Sequence, residues 1–349
     1  MTSQASPAAG PARTAPPASM SMFDLVRSNQ RRTAVLVVVM ATLMFLLGYV
    51  MAEAVQPGAG ILGFLFALIV WLVMTLVAWF SGDQIFLSLS RAKKIEKSDH
   101  PVLFDVVEEM CVASGIAKMP DIYIIDDAAM NAFATGRDPN RASVAVTAGL
   151  LQTLNRDELQ GVLGHELGHV RNRDILYLMM AGVMVGTIVM FADVGLRFFG
   201  YGGYTRSAPR RSSKDGGQLQ LIILVVAILL MILAPLLARI LYLAISRRRE
   251  YLADASSAVF TRYPEGLANA LEKIGHSTAK LSHTTQAMAP MYLVNPLKVT
   301  AAGLSDLSST HPPISERIRI LRSMGSTAGF REYDTAFRQV TGRAVGVVP

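Results

Sequence analysis

Residues 155–192 read NRDELQGVLGHELGHVRNRDILYLMMAGVMVGTIVMFA, and two kinds of helix meet inside them. The first begins at Asn155, whose side chain suits the free N–H groups of a helix start, with Glu158 placed to reach back as in a capping box. Apolar Leu159, Val162, Leu163, Leu167 and Val170 then recur at spacings of three, four and one, the pattern of a helix buried over much of its circumference. The second runs from Ile175 to Ala192 without a charged residue and reads as a helix that enters a bilayer.

The motif HELGH at 165–169 sits on the first helix. Histidines four apart project from one face, so His165 and His169 can hold one zinc ion at about 2.0–2.1 Å. Glu166 lies one residue round the helix. Zinc brings the pKa of a bound water to about 7, and a neighbouring carboxylate can take its proton as the water attacks a carbonyl. Glu166 is thus the candidate general base. The chain has six histidines, so two of them at this spacing on a capped helix outweigh the reading of ordinary core histidines.

A catalytic zinc needs a third protein ligand and one open position. The metzincin extension would place glycine at position 172 and histidine at 175, where this chain has Asn172 and Ile175. EYLAD at 250–254 offers a carboxylate instead: Glu250 and Asp254 are one helical turn apart, so Glu250 can bind zinc while Asp254 orients an imidazole, His165, through its other nitrogen. Taken alone, a glutamate after Arg247, Arg248 and Arg249 reads as a solvated ion-pair partner. Topology favours the ligand.

Working outward, Thr33–Ala52, Ile61–Phe80 and Leu219–Ala238 are further charge-free runs, long enough at 1.5 Å per residue to cross a hydrocarbon core of about 30 Å. A signal peptide would have a shorter apolar region and a small-residue cleavage site, so the first run reads as a membrane helix. Ile175–Ala192 and Leu219–Ala238 form a hairpin whose connection carries Arg206, Arg210, Arg211 and Lys214. The positive-inside rule prefers such a loop in the cytoplasm, so the hairpin either spans against that bias or dips into the bilayer. Both options return the chain to its starting side, bringing Glu250 back beside His165 and His169, with the fourth helix continuing through Ser246 and Pro235 placed to kink it.

The composition of this 349-residue chain agrees: 52% hydrophobic and 17% charged residues, with a mean hydropathy of +0.38, belong to a membrane protein. Its formal charge of +7 raises nucleic acid as a partner, but the cations flank the spans. Arg13, Arg27, Arg31 and Arg32 precede the first, Arg91, Lys93, Lys94 and Lys97 follow the second, and Glu53–Gly60 between them has neither Lys nor Arg. Both flanks are therefore expected in the cytoplasm, and no nucleic-acid partner is expected. The single cysteine, Cys111, excludes an internal disulfide and a cysteine-based zinc site.

Elsewhere Pro101–Ser114 has helical periodicity, and Ile122–Ile125 and Ser143–Thr147 are strand candidates. The expected layout is a disordered basic tail (1–32), two transmembrane helices (33–80), a catalytic part carrying HELGH (81–174), a transmembrane hairpin (175–246) and a second catalytic part (247–349). The fold class is a mainly α integral membrane protein with four hydrophobic helices and a cytoplasmic α+β unit.

With HELGHVRNRD at 165–174, SRRREYLADA at 246–255, THPPISERI at 310–318 and MNAFATG at 130–136, the chain resembles the HtpX-type heat-shock membrane proteases, relatives of the CAAX prenyl endopeptidases, over residues 20–325. The resemblance implies a zincin-type, gluzincin-like catalytic domain and one Zn2+ per chain on His165, His169 and Glu250, with Glu166 as base. It implies ATP-independent, stress-related quality control of misfolded or damaged membrane proteins in a bacterial inner membrane, with the active site facing the cytoplasm. It further implies that Asn131, Ala132, Phe133 and Ala134 belong to a substrate-binding edge strand, which would pair with an extended polypeptide. His311 would lie near the zinc, supporting the oxyanion or occupying the open position, and Arg317 would make a structural ion pair. His100, His276 and His283 lack partners at helical spacing and read as surface residues. Against a zinc transporter stands the placement of the ligands at span ends, and against an inactive scaffold the presence of Glu166. Prenyl-protein processing is a third option, for which four spans are few.

Overall fold

Charge-free sequence becomes helix because a backbone in hydrocarbon can satisfy its N–H and C=O groups only within its own segment. The computed structural model of the chain describes residues 22–200, 214–279, 281–282, 292–294, 311–344 and 346–347. In chain order its main elements are α1 (Met22–Val55), α2 (Gly60–Leu89), β1 (Lys93–Lys94), α3 (Pro101–Ser114), β2 (Asp121–Ile125), β3 (Ala132–Gly136), β4 (Ala142–Thr147), α4 (Ala148–Thr153), α5 (Arg156–Arg171), α6 (Ile175–Gly200), α7 (Lys214–Thr261), α8 (Pro264–His276), α9 (Ile314–Ser323) and α10 (Phe330–Thr341).

Among the described residues, four stretches are long and apolar enough to cross a membrane: Ala34–Val55, Gly60–Leu89, Leu178–Phe199 and Gln218–Ile240. The shortest have 22 residues, about 33 Å of helix. Their outer faces leave Val35, Ile61, Leu76, Ile222, Leu229 and Leu233 exposed, a belt that a bilayer covers and water would not tolerate. The chain is a multi-pass membrane protein. Helix α1 starts at Met22, so residues 22–32 of the expected disordered tail are helical instead. No glycine or proline interrupts Met22–Arg32, and extending an existing helix costs little. Residues 1–21, the hairpin-loop residues Arg206, Arg210 and Arg211, and His283 lie outside the described residues.

Helix α7 runs unbroken for 48 residues, with Pro235 inside it. One helix thus carries the chain from the membrane to Glu250, continuing through Ser246 as the sequence predicts. The sheet has the order β1-β2-β4-β3, with β2 and β4 parallel and the other two pairs antiparallel. Alternation along the strands divides its residues between two cores. Ala132, Ala134, Val144 and Val146 face the core shared with α3 and α5. Phe133 and Ala145 face Phe86, Leu176 and Met179 at the ends of the membrane helices. The sheet therefore lies between the spans and α5, with β3 at its edge.

Helix α3 matches its expected range. His100 is half-buried and caps it by accepting the Leu103 N–H at Nδ1, 3.2 Å away. His276 is exposed at the end of α8.

Candidate active site

The capping box is present in both halves: Asn155 Oδ1 accepts the Glu158 N–H and Glu158 Oε2 accepts the Asn155 N–H, each at 2.9 Å. It sets where α5 begins and so the phase of the faces that follow. Glycines on α5 then let its neighbours approach. A Cβ at Gly161 would lie 2.5 Å from the Leu267 backbone nitrogen on α8, and one at Gly168 would lie 3.0 Å from Ser256 Cβ on α7. Ser257 Oγ on α7 donates to the Gly161 carbonyl at 2.7 Å. This contact brings Glu250 up to the HELGH face.

His165, His169 and Glu250 come together as three buried donors. The two histidine Nε2 atoms are 3.2 Å apart, and Glu250 lies 3.6 Å from His165 Nε2 through Oε2 and 3.5 Å from His169 Nε2 through Oε1. A tetrahedral zinc with bonds of about 2.0–2.1 Å has ligand–ligand edges of about 3.3 Å, so the triangle fits that ion. Chemistry points the same way. His165 Nδ1 is 2.9 Å from Asp254 Oδ1 and His169 Nδ1 is 3.4 Å from Asp174 Oδ2. Protons donated there leave the Nε2 lone pairs facing each other and a carboxylate, an arrangement that a cation resolves. Burial opposes charge on His169, yet the carboxylates of Asp174 and Glu250 push its imidazole up to about 10. The site calls for positive charge.

Glu166 is 1% exposed, and neither of its carboxylate oxygens has a hydrogen-bond partner among the described residues. Burial pushes its carboxyl above the usual range, against the pull of His165 and His169. It is placed beside His165, His169 and Glu250 and left uncommitted.

Asp254 is buried against Arg317, which donates from Nε to Oδ2 at 2.8 Å and from Nη2 to Oδ1 at 2.6 Å. Burial alone would raise the Asp254 carboxyl, but the Arg317 guanidinium and then the His165 contact hold it below its ordinary value. His311, 3% exposed, has Nδ1 3.0 Å from Glu250 Oε2. The structure thus joins His165, Glu166, His169, Glu250, Asp254, His311 and Arg317 in one cluster.

The edge strand is differently engaged. Thr147 N–H donates to the Asn131 carbonyl on the β4 side, so by alternation Ala132 and Ala134 turn their backbone groups to the edge away from β4. The Ala132 carbonyl accepts from Leu293 N–H at 2.9 Å, and the Asn131 side chain brackets Val294, donating from Nδ2 to its carbonyl at 2.8 Å and accepting its N–H at 3.3 Å. Phe133 packs edge-on against Tyr292 in the opposite core. The Ala134 backbone is directed at Glu166. The chain's own segment 292–294 therefore occupies the Asn131–Ala132 end, while Ala134 faces the site.

No local sequence pattern singles out Asp174 or Arg249. Asp174 and Arg249 are both buried; Arg249 Nη1 donates to the Asp174 carbonyl at 3.4 Å and its Nε lies 3.7 Å from Oδ1. A charge run suggests solvent, and only the long apolar helices around it reveal that Arg249 points inward.

Comparison with known proteins agrees with this geometry. Peptidase family M48 matches residues 97–325. A protease HtpX homolog of Dictyoglomus thermophilum is 42% identical over 305 residues, 87% of this chain and 95% of that protein. One of Streptococcus pneumoniae is 42% identical over 304 residues, 87% of this chain and 100% of that protein. The crystal structure of S. mikatae Ste24p superposes with a TM-score of 0.44 at 19% identity, over 86% of this chain and 67% of that one. The family's span from 97 to 325 contains every member of the buried cluster, and with relatives this similar along nearly their whole length the chain belongs to peptidase family M48, as a membrane metallopeptidase.

Proposed function

We propose that this metallopeptidase is an endopeptidase that hydrolyses unfolded or damaged membrane proteins without ATP, using one zinc ion held by His165, His169 and Glu250. The observation that carries this reading is the triangle of buried donor atoms with an uncommitted carboxylate, Glu166, beside it. Zinc bound there supplies a Lewis acid that acidifies water and polarises a peptide carbonyl. Glu166 takes the proton of the attacking water and returns it to the leaving amine nitrogen as the C–N bond breaks. Asp254, held by Arg317, fixes the His165 ring. His311, against Glu250, is the group proposed to support the oxyanion.

An extended substrate would pair along the outer edge of β3, through Ala134 and beyond the Asn131–Ala132 end that segment 292–294 occupies. Backbone pairing reads little side-chain identity, which suits varied unfolded chains. The cations from Arg91 to Lys97 after the second span, with none from Glu53 to Gly60, support an active site on the cytoplasmic side of a bacterial inner membrane.

The test is purified protein in liposomes with a destabilised membrane protein as substrate, free of nucleotide. Wild type should carry one zinc per chain and cleave, and Glu250→Ala should lose the metal. Cleavage that requires ATP would remove the energy-independent part of the reading, and full zinc in Glu250→Ala would move the third ligand elsewhere.

A further inference from the structure

Between His169 and the membrane hairpin the chain makes a turn that its sequence does not favour. Helix α5 ends at Arg171, and the Asn172 N–H returns to the Gly168 carbonyl at 2.9 Å. Arg173 then adopts a left-handed conformation, φ 57, which a residue with a Cβ rarely takes. The Asp174 N–H points back to the His169 carbonyl at 2.9 Å. The strained residue swings Asp174, 0% exposed, under the second histidine, where its Oδ2 stands 3.4 Å from Nδ1. From the other side comes Arg249, the residue before Glu250, against the Asp174 carbonyl and Oδ1.

We propose that Asp174 is a positioning residue for the metal site, resting on the zinc reading above: clamped by Arg249, it receives the Nδ1 proton of His169 and so fixes the tautomer and ring plane in which Nε2 faces Glu250. Each ligating imidazole then has its own carboxylate and arginine, Asp254 with Arg317 for His165 and Asp174 with Arg249 for His169. The two pairs differ in where they are anchored. Asp174 directly precedes α6 and Arg249 rides on α7, so the second pair ties both legs of the membrane hairpin at its mouth to a metal ligand. The alignment of the hairpin is thereby passed to His169. At 3.4 Å against 2.9 Å for the His165 contact, this is the looser of the two supports, and its loss should weigh less than that of Asp254.

The test is zinc competition against a chromogenic chelator with the full-length protein in detergent, together with the visible spectrum of the cobalt-substituted protein and the melting temperature of the metal-free form. Asp174→Ala should weaken zinc binding by about 10–100-fold and shift the cobalt bands. Asp174→Asn keeps an oxygen to accept from Nδ1 and should recover most of the affinity. Wild-type affinity and spectrum in Asp174→Ala would overturn the proposal, as would a loss that Asp174→Asn does not rescue. A lowered melting temperature with unchanged affinity would also overturn it, by showing a purely structural role. Should Asp174→Ala fail to fold, Arg249→Gln carries the same test, with a several-fold loss expected and an unchanged affinity contradicting it. A wild type that binds no zinc would instead overturn the zinc reading itself.

Discussion

Replacing Arg317 by methionine should be among the most damaging single changes outside His165, His169 and Glu250. The guanidinium is 0% exposed and makes two hydrogen bonds to Asp254, itself 0% exposed, and a third to the Leu293 carbonyl at 3.1 Å. Methionine fills much of the volume, so cavity formation contributes little; the cost comes from a buried carboxylate left without its cation, about 3–5 kcal/mol. Asp254→Asn placed in the same chain removes that charge while keeping an acceptor for His165, and should restore at least about 2 kcal/mol relative to additivity. The sign of the pH dependence follows. In the single variant the Asp254 pKa rises above its unfolded value near 4, so the loss is full at pH 8 and shrinks as acid lets the group protonate. Denaturant unfolding of the metal-free protein in detergent, followed by helical circular dichroism, measures all of this. A cost under about 1 kcal/mol, or strictly additive variants, would refute the view that this pair is an energetically coupled support.

Gly161→Ala should destabilise the protein by about 1–3 kcal/mol through overpacking, because its new Cβ would meet backbone atoms of Leu267 that cannot move aside; a thermal melt equal to wild type would contradict the close approach of α5 and α8. Burial, with a contribution from Glu108, pushes the Cys111 thiol up to about 11, leaving about one thiol in a thousand ionised at pH 8. Iodoacetamide should therefore label the native protein far more slowly than the denatured one, and equal rates would place Cys111 at the surface. Asn155→Ala removes one half of the capping box and should cost about 1 kcal/mol; no change in unfolding midpoint would show that tertiary contacts alone set the start of α5.

The long-range architecture was legible wherever a local pattern is strong enough to decide it. Charge-free runs gave the spans, the cap at Asn155 gave α5, and α3 and the cores of β2 and β4 matched their periodicity. The histidine spacing in HELGH was readable because one helical turn is a local property. Glu250 required topology, since its three preceding arginines suggest solvent, and α7 meets that requirement by leaving the membrane as one continuous helix. Asp174 was hidden because nothing in RNRD announces a left-handed arginine, a conformation that sequence normally signals with glycine. Arg249 was hidden because burial of a cation is set by what packs around it. The short β1 and the hold of segment 292–294 on Asn131 and Ala132 likewise depend on partners distant in sequence, which no periodicity records.

The central claim is that a zinc-loaded triad and an uncommitted glutamate together make the peptidase, and one comparison isolates the glutamate. Wild type and Glu166→Gln, purified in detergent with metal-free handling, should be assayed side by side for bound zinc and for cleavage of unfolded casein with and without chelator. One zinc per chain in both, with chelator-sensitive cleavage in wild type and at least about a hundredfold less in the variant, is the predicted result. Cleavage by Glu166→Gln at the wild-type rate, or a wild type that cleaves with no metal bound, would contradict the account.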